Sequence, residues 1–186
     1  MELIGIYTLA HLIGVIIGVG GAYVSDFLFM RSVRDGILSF KELIVLHWAS
    51  RLVWVGLIIL ILSGLGIFST NPEHYLQADK FLAKQTIVFI LFLNGLIFHK
   101  LHLPLFRRHA ESHFPSSEEF MNLRKWILIS GVISMTSWTG ALIIGAWRTM
   151  PYSYLEILGA YLGIIIFGTV VAHFIKNKIL PDYRGK

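Results

Sequence analysis

A few ionisable side chains set the chemistry open to this chain, because they fall inside otherwise apolar segments. Such groups are costly at membrane depth and are functional candidates by default. His47 and Arg51 are spaced one helical turn apart on one face, with Trp54 beyond them. His99 and His173 occupy two further apolar segments. In the orientation derived below, His47, His99 and His173 fall near one level on the cytoplasmic side. Two neutral imidazoles from different helices at one depth are what a six-coordinate haem b requires. An arginine beside them would neutralise a propionate or a quinone oxygen. These three histidines are therefore expected as haem-iron ligands, with Arg51 as a cofactor-binding group.

A second constellation lies toward the other surface. His11 sits on a stripe of small residues in the first apolar segment, and small neighbours leave room for a bulky ligand. Lys84, followed by Gln85, enters the third segment from the same side. Together they would hold a second ligand, axially or through its carboxylates, with Tyr154 and Glu156 lining the same mouth. Bland readings compete at each position. A histidine near a helix end reaches headgroup water, as His99 and His102 beside Lys100 would. A lysine can snorkel to the surface. His74, His109 and His113 belong to loops, and Asp26 reads as a solvated end residue paired with Arg31 or Arg34.

Other chemistries are excluded. There is no cysteine, so disulfides, iron–sulfur clusters, thiolate metal sites and covalently attached haem are ruled out. No Ser/His/Asp arrangement, phosphate loop or carboxylate pair stands in a credible site, so an enzymatic activity is not assigned.

The elements that must position these residues follow from composition. Of 186 residues, 55% are hydrophobic and 15% charged, with mean hydropathy +0.69. A soluble domain carries about 25% charged residues. A soluble globular protein, a disordered tail and a nucleic-acid-binding module are thereby excluded, despite a formal charge of +5. A span needs about 20 apolar residues. Five segments qualify: Leu3–Met30, Leu43–Phe68, Phe81–Leu103, Trp126–Trp147 and Tyr154–Leu180. The first opens Met1-Glu2 without a basic flank and is too long for a cleavable signal core. Lys100–Lys125 reads as a surface loop ending in a helix start at Ser116 or Ser117.

Lys and Arg set the orientation. Twelve lie on one side (Arg31, Arg34 and Lys41; Lys100, Arg107, Arg108, Arg124 and Lys125; Lys176, Lys178, Arg184 and Lys186). Three lie on the other (Lys80, Lys84, Arg148), and Arg51 is inside a span. The positive-inside bias predicts an outer N-terminus and a cytoplasmic C-terminus. The expected fold is all-α: one five-helix transmembrane bundle over residues 1–186, in a bacterial or archaeal plasma membrane. Small residues recur at helical spacing in the first span (Gly14, Gly18, Gly21, Ser25), the fourth (Ser130, Ser134, Ser137, Gly145) and the fifth (Gly159, Gly163). Such stripes let helix backbones approach closely where lipid gives no hydrophobic drive.

The run His11-Leu-Ile-Gly-Val-Ile-Ile-Gly-Val-Gly-Gly21 resembles the opening helix of a loose group of bacterial membrane proteins. The group contains the copper-resistance protein D-like family, the integral-membrane protoporphyrinogen oxidase family and related predicted integral membrane proteins. Ser50-Arg51-Leu-Val-Trp54 running into Leu62-Ser63-Gly64, Ala83-Lys84 with Asn94-Gly95, and Ser134 through Trp138-Thr139-Gly140 are similar in kind. In the oxidase family a first-helix histidine and a third-helix lysine are functional and the protein binds haem b. The resemblance implies those roles for His11 and Lys84. The chain departs from that family in a longer third loop and additional inner histidines, so haem binding is the expectation carried over. The copper family implies methionine and histidine ligands, whereas Met1, Met30, Met121, Met135 and Met150 form no cluster in the sequence.

Three functions remain open. The first is a membrane redox protein with one or two haems b, exchanging electrons with quinone or a partner subunit. The second is a non-catalytic anchor within a larger respiratory complex or homo-oligomer. The third is a transporter for copper or another small solute, with Asn94, Ser134 and Ser137 along its path.

Overall fold

The computed structural model describes residues 2–35, 37–111, 117–147 and 149–179. It is all-helical, with no strand among the described residues. The helices are α1 (Glu2–Asp35), α2 (Phe40–Thr70), α3 (Pro72–Leu76), α4 (Asp79–Ile97), α5 (Leu103–Arg108), α6 (Glu118–Ala146) and α7 (Tyr154–Ile179). A π-helical turn, Phe98–His102, joins α4 to α5. Five helical runs are long and apolar enough to cross a membrane: Glu2–Ser32, Phe40–Thr70, Asp79–Arg108, Glu118–Ala146 and Tyr154–Phe174.

Local chemistry sets the boundaries. Ser39 caps α2 in a capping box: its Oγ accepts from the Glu42 amide while the Ser39 amide donates to the Glu42 carboxylate. Ser117 caps α6, and Glu118 and Glu119 follow in the first turn, where acidic groups complement the helix dipole. The helix start expected at Ser116 or Ser117 thus lies at Ser117, nine residues before Trp126. The stretch expected as a surface loop is largely helical where it is described. Its residues Leu103, Leu105, Phe106, Phe120 and Met121 are buried together. His113 lies outside the described residues. Pro104 has no amide hydrogen to continue the α-helical ladder. The wider turn ahead of it, closed by Leu103 N–H donating to the Phe98 carbonyl, absorbs the interruption. The α5 end is tied to the α1–α2 connection, since the Glu111 amide donates to the Leu38 carbonyl at 2.9 Å.

The α1–α2 contact is the most extensive in the molecule, and small residues make it possible. A Cβ at Gly14 would lie 3.0 Å from the Gly56 carbonyl oxygen, and one at Gly21 would lie 2.9 Å from that of Ala49. A Cβ at Gly56 would overlap the backbone of Gly18, and one at Gly18 would overlap the Trp138 ring. In α6, Ser130 and Ser137 meet partners rather than bare backbone. Ser130 Oγ donates to Asn94 Oδ1 at 2.9 Å, and Asn94 Nδ2 donates to the Ser130 carbonyl at 3.1 Å. Ser137 Oγ lies 2.8 Å from the Tyr161 hydroxyl. The α7 stripe behaves differently: Gly159 and Gly163 are exposed, and a Cβ at either meets nothing within 4 Å. Ile157 and Tyr161 make the buried face of α7 instead.

Candidate functional site

The side chains sort into two polar cavities near opposite ends of the bundle. At the end where α1 begins, His11, Lys84 and Ser63 bring three helices together. Lys84 Nζ lies 2.8 Å from His11 Nε2, and Ser63 Oγ lies 3.0 Å from His11 Nδ1. The Ser63 hydroxyl donates its hydrogen to the Ile59 carbonyl at 2.6 Å. Its oxygen therefore accepts from His11 Nδ1–H, which leaves the Nε2 lone pair to accept from the lysine ammonium. The tautomer and ring orientation of His11 follow from that chain. A serine behind the ring does for His11 what an outer-shell acceptor does for a metal-binding histidine.

These groups open into a vestibule of about 1190 Å³. Drug-sized ligands occupy pockets of about 300–1,000 Å³. Its walls include aromatic rings, with Phe68 stacked on Phe81 at 5.7 Å between centroids and Tyr75 against Phe81 at 5.2 Å. Tyr75 comes from α3, which starts because Asn71 Oδ1 accepts from the His74 amide and Pro72 presets the first turn. Lys80, Gln85, Met150 and Glu156 also line the vestibule. Glu156 caps α7 through Ser153, and the Tyr154 hydroxyl is placed 3.2 Å from Thr86 Oγ1 rather than on the vestibule wall.

A second cavity, of about 310 Å³, lies toward the basic end that carries Lys41, Arg107 and Arg108. Asp26, Ser50, Trp54, His102 and Trp138 are among its walls. His102 is only 2% exposed. Leu60 on the vestibule wall packs in one apolar layer with Leu57, Leu91 and Trp138 on the wall of the second cavity.

The expected residues are distributed unevenly over this frame. His11 and Lys84 are brought together as anticipated from their shared side. His47, Arg51, His99 and His173 line neither cavity. His47 is half-buried and accepts from Arg107 Nη2 at 2.8 Å. Arg51 is exposed, its guanidinium 4.8 Å from the centre of the Trp48 ring. His99 is exposed with its ring edge-on to Trp54, and His173 is exposed near the end of α7. No group of three or more metal-ligating side chains converges among the described residues. Sequence reasoning gave Ser63 no chemical role, assigned His74 to a plain loop although it lines the vestibule, and read Asp26 as solvated. Asp26 Oδ2 is instead buried without a hydrogen-bond partner among the described residues.

Ser63→Ala tests the orienting role directly. Loss of an outer-shell partner lowers ligand affinity about 10–100-fold. The variant is expected to fold as the wild type does and to hold any His11-bound ligand that much less tightly, measured by ligand titration.

Comparison with known proteins finds no matching family model, no similar curated protein and no similar solved structure.

Proposed function

We propose that the chain is a multi-pass membrane redox protein that binds haem b in the vestibule. The observation that carries this reading is the His11–Lys84–Ser63 arrangement, at 2.8 Å and 3.0 Å, opening into a volume of about 1190 Å³. The donor set suits the group. His11 Nε2 presents a lone pair toward the ammonium, and Nδ1–H is already held by Ser63. Lys84 is a flexible cation that can leave the imidazole for a propionate, and Lys80 lines the same space. Phe68, Tyr75 and Phe81 offer flat faces to a macrocycle. When bound, haem b supplies one-electron transfer, while the protein sets its potential through ligand and burial.

In this reading the basic end faces the cytoplasm, as the Lys and Arg bias requires, and the membrane is a bacterial or archaeal plasma membrane. Quinone or a partner subunit exchanges the electrons. His47, Arg51, His99 and His173 line neither cavity. A second haem held by them needs a wall from another chain, a subunit or a second copy.

The test is a spectrum of purified protein from a haem-replete host, dithionite-reduced minus oxidised. An α-band at near-stoichiometric haem is the expected result. Protein that shows no such band, even after incubation with added haem, rejects the reading.

A further inference from the structure

The cavity at the basic end has two unmatched polar groups on apolar walls. Asp26 Oδ2, an acceptor when ionised, has no hydrogen-bond partner among the described residues, and neither does Trp138 Nε1, a donor only. Trp138 is 2% exposed. Buried polar groups are nearly always matched, and each exception calls for an explanation. Of the other polar residues on the wall, Asn94 and Ser130 satisfy each other by two reciprocal bonds, while Ser25, Ser50, Ser134 and His102 add hydroxyls and an imidazole.

The rest of the lining selects among ligands. Phe29 and Phe106 pack with centroids 5.2 Å apart, and Trp54 and Phe98 add further rings. A hydrated cation would find a single carboxylate and a few serine hydroxyls among aromatic walls, an imidazole and an N–H donor, which is a poor set of oxygen ligands. A flat ring bearing hydroxyls fits all three features: one hydroxyl donates to Asp26, another oxygen accepts from Trp138, and the ring meets the aromatic walls. A volume of about 310 Å³ admits about one substituted ring. Met135, a wall residue on α6, is 44% exposed on the lateral surface, so the approach is from the side of the bundle rather than from its end.

We infer that this cavity binds the headgroup of a lipid-soluble hydroquinone, held between the Asp26 carboxylate and the Trp138 indole N–H. The site gives the redox reading a lipid-borne partner; it rests on that reading for the electron exchange but not for the binding.

Gly131 provides a test that does not disturb the polar groups. It lines the cavity, and a Cβ built there meets nothing within 4 Å. Full-length protein immobilised in detergent is titrated with a decyl-substituted hydroquinone kept reduced, with decylbenzene as the comparison ligand. Wild type is expected to retain the hydroquinone saturably and decylbenzene at least about tenfold more weakly. Asp26→Leu and Trp138→Phe are each expected to weaken hydroquinone binding about tenfold, as loss of one buried partner does. Gly131→Leu fills the space and is expected to abolish binding while the protein keeps its elution profile. Equal retention of decylbenzene, or binding that none of the three variants alters, overturns the inference. So does sodium or potassium protecting the wild type from thermal unfolding through Asp26. The α-band, read on the same preparations, separates the two proposals. Binding as expected in protein without a band supports this site while the haem reading falls.

Discussion

His11→Ala is expected to abolish the α-band of the purified protein, with haem affinity down on the order of 100-fold or more. The size follows from the roles proposed for these residues. Loss of an outer-shell partner alone costs about 10–100-fold, and His11 would stand one step closer, as the ligand that Ser63 orients. Lys84→Met keeps the length of the side chain and removes its charge. A charge-assisted hydrogen bond contributes about 1.5–3 kcal/mol, so a loss of about 10–100-fold is expected there. Lys84→Arg restores the charge and should recover part of it. Because His11 and Lys84 touch, the double variant should lose less than the two single losses combined. A band that survives His11→Ala and disappears in His47→Ala would move the cofactor to the basic end and sink the vestibule assignment.

Gly56→Val should cost the folded state itself. A Cβ at position 56 would overlap the Gly18 backbone, which cannot move aside as the end of a side chain can. Overpacking a core with a flexible neighbour costs about 1–3 kcal/mol; separating two backbones along the longest helix contact should exceed that. The expected result is loss of the monodisperse peak after solubilisation. Gly159→Val is the matched control, since a Cβ there meets nothing within 4 Å, and it should behave as wild type. Equal behaviour of the two variants would contradict close α1–α2 packing.

How far the sequence anticipates this molecule depends on contrast between neighbouring residues. The five apolar runs stand out because charges are so sparse around them, and His11 and Lys84 stand out because each is an ionisable group entering an apolar helix from one side. Their contact follows from that shared level. Facing is harder to read. His47, His99 and His173 share a level by residue count, but their helices are apolar nearly all round. Such helices lack the polar face that marks which side turns inward. Asp26 misled for a similar reason. Arg31 and Arg34 follow it closely, suggesting a helix end, yet α1 continues to Asp35 and carries Asp26 into the bundle. The apolar run alone begins only at Trp126, because Arg124 and Lys125 interrupt it without interrupting the helix, and the capping serine is what marks the earlier start of α6. Ser63 could not be singled out, because a serine in an apolar helix commonly bonds its own backbone, as Ser63 also does.

The apolar layer of Leu57, Leu60, Leu91 and Trp138 has an electrical consequence. His11 and Asp26 are 15 residues apart on α1, about 22 Å along its axis, within a hydrocarbon core about 30 Å thick. The vestibule would bring the aqueous potential inward on one side, so in a bilayer the voltage would fall mainly across this layer and the basic end beyond it. An elementary charge carried across the full potential is worth about 2.3 kcal/mol per 100 mV. Two sites so insulated act as the plates of a small capacitor, and any electron or proton exchanged between them would do work against the membrane potential.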